Sequence, residues 1–159
     1  MVPCDADQVA AHEVQEVVVR AQDVVVREAR QLQALLDELV RAMSSSGSPS
    51  SQVYMALRQV VVAGDMARRV TEVQAGGPGA AIAGQGLRRN AEDFQQVMTG
   101  LREGDPSREL QALTNGNALA ALTRADEAWA EMRVAEPFPM RIRYELEDCP
   151  EGTRACIRA

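Results

Sequence analysis

The first helix predicted from the hydrophobic pattern is unusually long. From about Asp7 to Met43, apolar residues recur at steps of three and four, a spacing that predicts a heptad seam of the coiled-coil type along one helix face. The residues of the seam are Val14, Val18, Ala21, Val25, Leu32, Leu35 and Leu39. Glu28 takes a core position in this register, and Val17 and Val24 form a second apolar stripe. Because two stripes need cover on two sides, we expect other helices to cover one and a second subunit the other.

Three breaks divide the following sequence into further helices. The serine-rich segment 44–50 ends the first helix, and we expect Ser48 to cap a second helix that has Pro49 in its first turn. The glycines of segment 76–79 end this second helix and precede a third, at about 80–102. A Gly-Asp-Pro stop at 104–106 precedes a fourth helical region, with a short piece and then a longer helix at about 118–134. The residues expected on the inner face of the second helix are Val53, Leu57, Val60, Gly64 and Ala67.

These elements predict an all-α fold, an up-down helical bundle of four main helices with a long first helix. The bundle is expected to take residues 1–136, followed by a short strand-like or irregular C-terminal tail at 137–159. In that tail Ile142, Tyr144 and Leu146 alternate with charged residues, which is typical of a strand with one apolar face. The tail is therefore expected to lie on the bundle, pair with a partner or stay disordered.

Composition narrows the classes of function. The formal net charge is -6, so the chain lacks the basic surface that binding to nucleic acid requires. Hydrophobic residues make up 46% of the sequence but aromatic residues only 3%, which favours slender helices packed closely. No apolar run approaches the roughly 20 residues that span a bilayer. The N-terminus also lacks the basic start and apolar stretch of a signal peptide.

The sequence offers no pattern typical of an enzyme. His12 begins a His-Glu-x-x-Glu segment that lacks the second histidine of a zinc-protease helix. The glycine-rich segment 76–86 neither follows a predicted strand nor leads into Gly-Lys-Ser/Thr, so it is interpreted as an interhelical connection. Serines 44–51 have no basic partner that would activate a nucleophile. We therefore expect no catalytic residue, no metal and no cofactor.

Two pairs of arginines are the candidate ligand-binding residues. The pairs are Arg68-Arg69 and Arg88-Arg89, one on each of two consecutive helices that should pack antiparallel. Arginines that project from neighbouring helices can hold a carboxylate, nitrate or similar anion by forked hydrogen bonds. The alternative is that they pair at helical spacing with nearby carboxylates. Those carboxylates are Asp65, Glu72, Glu92 and Asp93.

Two cysteines near the C-terminus are candidates for a disulfide. Cys149 and Cys156 bracket a turn-forming sequence that could close a small bridge. The alternative is two unrelated thiols.

Residues 48–129 resemble the type IV pilus methyl-accepting chemotaxis transducer N-terminal domain, the PilJ-type sensor module. The stretches that carry the resemblance are Ser-Pro-Ser-Ser-Gln-Val-Tyr-Met-Ala-Leu-Arg-Gln-Val-Val-Val-Ala at 48–63, Met-Ala-Arg-Arg-Val at 66–70, Gly-Gly at 76–77, Arg-Asn-Ala-Glu-Asp-Phe at 89–94, and Val-Met-Thr-Gly-Leu-Arg-Glu-Gly-Asp at 97–105. Their order and spacing match the family over about half of the chain.

The resemblance implies a dimeric sensor that passes a small helix displacement to a signalling domain. It places such a module on the periplasmic side of the inner membrane; because no signal peptide or anchor is evident, a cytoplasmic location stays an alternative. Some relatives bind small anions through an Ala-Gly-Arg-Gln-Arg-Met helix, where this chain has Ala-Gly-Asp-Met-Ala-Arg at 63–68. Asp65 replaces the first of those arginines, so no binding residue is carried over from the family.

The sequence thus predicts a non-enzymatic sensor of a type IV pilus, or twitching-motility, chemotaxis receptor. Its expected partners are a second copy of the chain and a small molecule or a pilus protein. The alternative is a scaffolding bundle that binds a partner through the tail at 137–159.

Overall fold

Four α-helices make up most of the part of the chain that the structure describes. In this computed structural model, the backbone is described for residues 5–134 and the side chains for residues 23–133. The elements are α1 (Asp5–Ser45), α2 (Ser50–Ala75), α3 (Ala80–Glu103), a 3-10 turn (Pro106–Arg108) and α4 (Gly116–Val134). Contacts of α1 with α2, α2 with α3, and α4 with both α1 and α3 close the bundle. The predicted all-α bundle is confirmed, while the predicted tail and Cys149 and Cys156 lie outside the described residues.

Cross-helix contacts show that successive helices run antiparallel. The Gln33 side chain of α1 donates a hydrogen bond from Nε2 to the Val60 carbonyl of α2, at 3.0 Å. Gly64 makes room for it, because a Cβ at Gly64 would lie 2.8 Å from that nitrogen. On the far side of the bundle, Arg124 of α4 pairs with Glu38 of α1 at 3.0 Å.

From Val25 to Met43, the seam of α1 follows a heptad in a register that differs in part from the predicted one. Its buried residues alternate steps of four and three: Val25, Ala29, Leu32, Leu36, Leu39 and Met43. The sequence prediction placed Glu28 and Leu35 in the core, whereas Ala29 and Leu36 occupy those positions. Glu28 stays at the flank, with 17% of its side chain exposed. This register gives the core position to alanine and leaves the charged side chain at its edge, where Oε2 of Glu28 is buried without a hydrogen-bond partner.

The buried face of α2 is rotated by one residue from the predicted face. It consists of Gln52, Ala56, Gln59, Ala63, Met66 and Val70. Small alanines on this face allow α2 to approach its neighbours closely, whereas a face centred on valine and leucine would hold them apart. The prediction that Leu57 faces inward is wrong, since Leu57 is 46% exposed. Val53 and Val60 are partly buried at the flank of the core.

The connection from α3 to α4 is compact, although most of it is not helical. Gly104 ends α3 at a φ of 88°, and the Asp105 side chain accepts a hydrogen bond from the Ser107 backbone N–H, so the predicted stop and cap are confirmed. Asp105 and Leu110 exchange backbone hydrogen bonds of 2.8 and 2.9 Å. The predicted short helical piece is therefore a 3-10 turn followed by an extended connection. At the start of α2, the N-cap position is held by Pro49 without a side-chain hydrogen bond, so the predicted cap by Ser48 is wrong.

The lengths of the helices give the bundle an extended end. Helix α1 has 41 residues and α2 has 26, so α1 is longer by 15 residues, or roughly 22 Å at 1.5 Å per residue. Because the two helices start from a short shared turn, the N-terminal part of α1 projects past the α2–α3 turn. Among the described residues, no helix is both long and apolar enough to cross a membrane.

Candidate anion-binding site at the α2–α3 edge

The first of the four candidate arginines is engaged on its own helix. Arg68 is exposed on α2 and donates hydrogen bonds to Glu72 at 2.8 Å and to Asp65 at 3.5 Å. These are the intrahelical pairings that the sequence offered as an alternative to ligand binding. Its charge is therefore already neutralised, at i,i+3 and i,i+4 spacing.

Arg69, the next residue, crosses to α3. Its guanidinium lies against Gly86, where a Cβ would collide with the guanidinium nitrogens. The Nε of Arg69 is buried and has no hydrogen-bond partner. In the part of the chain that the structure describes, no carboxylate lies within 4 Å of this guanidinium. Arg69 is thus a partly buried cation whose Nε–H donates no hydrogen bond. A buried donor without an acceptor destabilises the folded state, so binding of an acceptor here would be favourable.

The pair on α3 is divided between two faces of that helix. Arg89 lies three residues after Gly86, so helical geometry places it on the same edge as the Arg69 guanidinium, and it is exposed. Arg88 precedes Gln95 by seven residues and shares its face, which contacts α4 through Trp129. Helical geometry therefore places Arg89 on the same edge of α3 as the Arg69 guanidinium, whereas Arg68 turns back along α2 to Glu72 and Arg88 lies on the face toward α4.

Further buried polar atoms without partners lie in the same half of the bundle. They are Oε2 of Glu28 on α1 and Oε1 of Gln74 on α2. Sequence reasoning noticed Glu28 as a charge in the seam but gave no signal for Gln74. Asp93, which the sequence offered as a partner for the arginine pairs, instead binds Arg108 at 2.8 Å.

The chemistry that this edge can support is the binding of a small anion. Two guanidinium groups present planar sets of N–H donors that match a carboxylate, nitrate or similar anion. Among the described residues, no group of three or more histidine, cysteine, aspartate or glutamate side chains is placed to hold a metal ion. His12 lies outside the residues whose side chains the structure describes.

Comparison with known proteins gives two partial matches. Over 97 residues the chain is 31% identical to Protein PilJ of Pseudomonas aeruginosa, a match that covers 61% of this chain and 14% of PilJ. Over 109 residues it is 28% identical to the protein named "Putative methyl-accepting chemotaxis AlkN" of Alcanivorax borkumensis, covering 69% of this chain and 16% of AlkN. No family model matches the chain. The matches span less than a fifth of each relative, and they support a relationship between this chain and the chemotaxis transducers.

Proposed function

We propose that the chain is a non-enzymatic sensor module of a type IV pilus chemotaxis-type receptor. The observation that carries the proposal is that the similarity to PilJ and AlkN covers 61% and 69% of a chain whose described part is a four-helix bundle. The resemblance of residues 48–129 to the PilJ-type sensor module supports the type IV pilus assignment in particular. A projecting α1 also suits a module that must pass a displacement along one helix.

The ligand class that we assign to the module is a small anion at the α2–α3 edge. Arg69 supports this assignment because its guanidinium is pressed against Gly86 with a buried, unpartnered Nε. An anion held between Arg69 and Arg89 would contact both guanidinium groups, offset part of their charge and tie α2 to α3. Arg68 contributes less, because it is already paired with Asp65 and Glu72.

The module is proposed to work as a homodimer that uses the outer face of α2. Three large apolar residues, Tyr54, Leu57 and Val61, are spaced three and four residues apart on that face and are 61%, 46% and 66% exposed. A two-fold dimer needs one patch that matches its own copy, and a single stripe on one helix meets that requirement. This surface replaces the second stripe of α1 as the proposed contact, since Val24 is partly buried and the Val17 side chain is not described.

Signal relay then requires that the anion prefer one of two helix arrangements. A ligand shifts an equilibrium only through its different affinities for the two states. Closing Arg69 and Arg89 onto an anion would favour the arrangement in which α2 and α3 approach at this edge. Since α2 packs along α1, a small shift of α2 would be passed to the projecting end of α1.

Melting of the purified chain with nitrate, acetate and pyruvate would test the proposal, with sedimentation run in parallel. We expect dimer formation and a rise in melting temperature with at least one of these anions, because a ligand of the folded state stabilises it by mass action. Arg69→Gln should abolish the rise, whereas the matched variant Arg68→Gln should keep it. The absence of both a dimer and any stabilisation would contradict the proposal.

A further inference from the structure

A groove between α3 and α4 forms a cavity separate from the arginine edge. These two helices pack against each other less extensively than either packs against its other neighbour. The space left between them is about 180 Å³. The residues that matter for its chemistry are Gln95, Thr99 and Arg102 from α3 and Asp126, Trp129 and Arg133 from α4.

The floor of the groove is held in a fixed arrangement. Trp129 is 2% exposed, and its ring lies against Phe94 with centroids 4.9 Å apart. Its indole Nε1–H donates to Oε1 of Gln95 at 2.8 Å, and Nε2 of Gln95 donates to the Thr99 hydroxyl at 3.4 Å. Because both ends of the Gln95 amide are engaged, the Gln95 side chain cannot turn freely. The polar surface beneath a ligand is therefore preorganised.

Among the described residues, the charges around the groove include one cation and one anion without an oppositely charged partner. Arg102 and Asp126 pair with each other across it. Arg133, at one end, contacts Gln95 Oε1 at 3.5 Å and has no carboxylate within 4 Å in the described part of the chain. Glu103 lines the other end and has no arginine within 4 Å among the described residues. The groove is neutral as a whole but polarised along its length.

We propose that this groove binds a short ω-amino acid, with its carboxylate on the Arg133 guanidinium and its ammonium on the Glu103 carboxylate. Gln95, which contacts Arg133, and Glu103 are eight residues apart, or roughly 12 Å along α3. The reach of both side chains shortens this distance to one that a short aliphatic chain can bridge. An α-amino acid, with its two charges on adjacent atoms, suits the spacing less well. Such a ligand joins α3 to α4, whereas the proposed anion joins α2 to α3.

Calorimetric titration of the full chain with γ-aminobutyrate, butyrate and butylamine would test the assignment. The three molecules share an aliphatic chain, and the last two each lack one of the charges. We expect γ-aminobutyrate to bind at least about tenfold more tightly than either, since one lost charge-assisted contact costs about 1.4 kcal/mol or more. Arg133→Gln should remove the preference over butylamine, and Glu103→Gln should remove the preference over butyrate.

Arg124→Gln supplies the matched control, because Arg124 is also an exposed arginine of α4 but pairs with Glu38 of α1 away from the groove. It should bind γ-aminobutyrate as the unchanged protein does. All three substituted residues are at the surface, and a melting curve of each variant confirms that it folds. Equal affinity for butyrate, unchanged binding by Glu103→Gln, or no binding of γ-aminobutyrate at millimolar concentration would each overturn the assignment.

Discussion

At the end of the bundle where α1 turns into α2 and α3 connects to α4, the buried Gln52 amide has hydrogen-bond partners on both of its polar atoms. Four buried side-chain atoms of the described residues have none: Oε1 of Gln59 lies nearer this end, and the other three lie in the opposite half. We call these two ends the clamped end and the open end. At the clamped end the Gln52 amide both donates to the Gln111 carbonyl, at 2.8 Å, and accepts from the Gln111 N–H, at 3.1 Å. At the open end the unpartnered atoms belong to Glu28, Arg69 and Gln74.

The difference indicates where the bundle can change shape. Each unsatisfied buried polar group costs about 1–3 kcal/mol, so the open end is held less firmly than its apolar core alone would suggest. A fully bonded connection, by contrast, resists local opening. A ligand that satisfies Arg69 therefore acts on the half of the molecule whose arrangement is easiest to shift, while the clamped end keeps the helices in register.

The largest effect that we expect comes from Leu110→Ala at the clamped end. Leu110 is buried and fits against Gly100, where an added Cβ would lie 2.7 Å from its Cδ1. Truncation leaves a cavity beneath the α3–α4 connection and should lower the free energy of unfolding by about 2–4 kcal/mol, measured by urea denaturation.

Ile82→Ala is the matched control near the open end, because Ile82 is 70% exposed. It should change the free energy of unfolding by no more than about 0.5 kcal/mol. Similar losses in both variants would show that the connection at the clamped end contributes no special stability.

The end of α3 and the cap that follows it, at the clamped end, could be predicted from the sequence. The Gly-Asp-Pro segment at 104–106 specifies its own stop and cap within three residues, and the structure has both. The buried glutamines of α2 could not be predicted. The partner of Gln52 is a backbone group 59 residues away, and a pattern of apolar residues directs attention to valine and leucine instead.

The sequence could predict the region of the candidate site but not which of its four arginines lie there. Consecutive arginines on two antiparallel helices indicated the α2–α3 region. The rotation of α2 about its own axis decides which arginine lacks an acidic partner. In the observed rotation, Arg68 pairs with Glu72 on its own helix and the Arg69 side chain crosses to Gly86 of α3. That rotation is set by the packing of small residues in the core, which local spacing does not report.

Gln59→Leu should have a smaller effect, of the opposite sign. Gln59 is 1% exposed, its Nε2 donates at 3.2 Å to the Met55 carbonyl of its own helix, and its Oε1 has no partner. Leucine removes the unsatisfied oxygen and keeps a similar volume, so the free energy of unfolding should rise by about 1 kcal/mol. Urea denaturation measures the change.

Gln52→Leu, seven residues earlier on the same face, is the matched comparison. It removes both hydrogen bonds to Gln111 and should lower the free energy of unfolding by about 1 kcal/mol. Two glutamine-to-leucine changes with opposite signs would support the contrast between partnered and unpartnered groups. Destabilisation by both variants would instead mean that Gln59 is satisfied in solution.

The smallest expected effect concerns acid stability at the clamped end. The Ser107 hydroxyl, which donates to Asp105 Oδ1 at 2.6 Å, is the main cause that holds the pKa of Asp105 below its ordinary value of 3.8. Burial is the second-largest effect and opposes this, while the backbone N–H groups of Ser107 and Arg108 and the charge of Arg108 lower the pKa further. Since the depressed pKa belongs to the folded state, its contribution to stability is complete above the unfolded value and is lost as the pH falls through the folded pKa.

Ser107→Ala should therefore raise the pKa of Asp105 toward 3.8, which an NMR titration of its carboxyl group would measure. The variant should be less stable than the unchanged protein at neutral pH, and part of that difference should disappear well below the folded pKa. The pH-dependent part isolates the carboxylate, because the loss of a neutral hydroxyl contact does not vary with pH. A stability difference that is the same at both pH values, or an unchanged pKa, would show that the serine closes the turn without stabilising the charge.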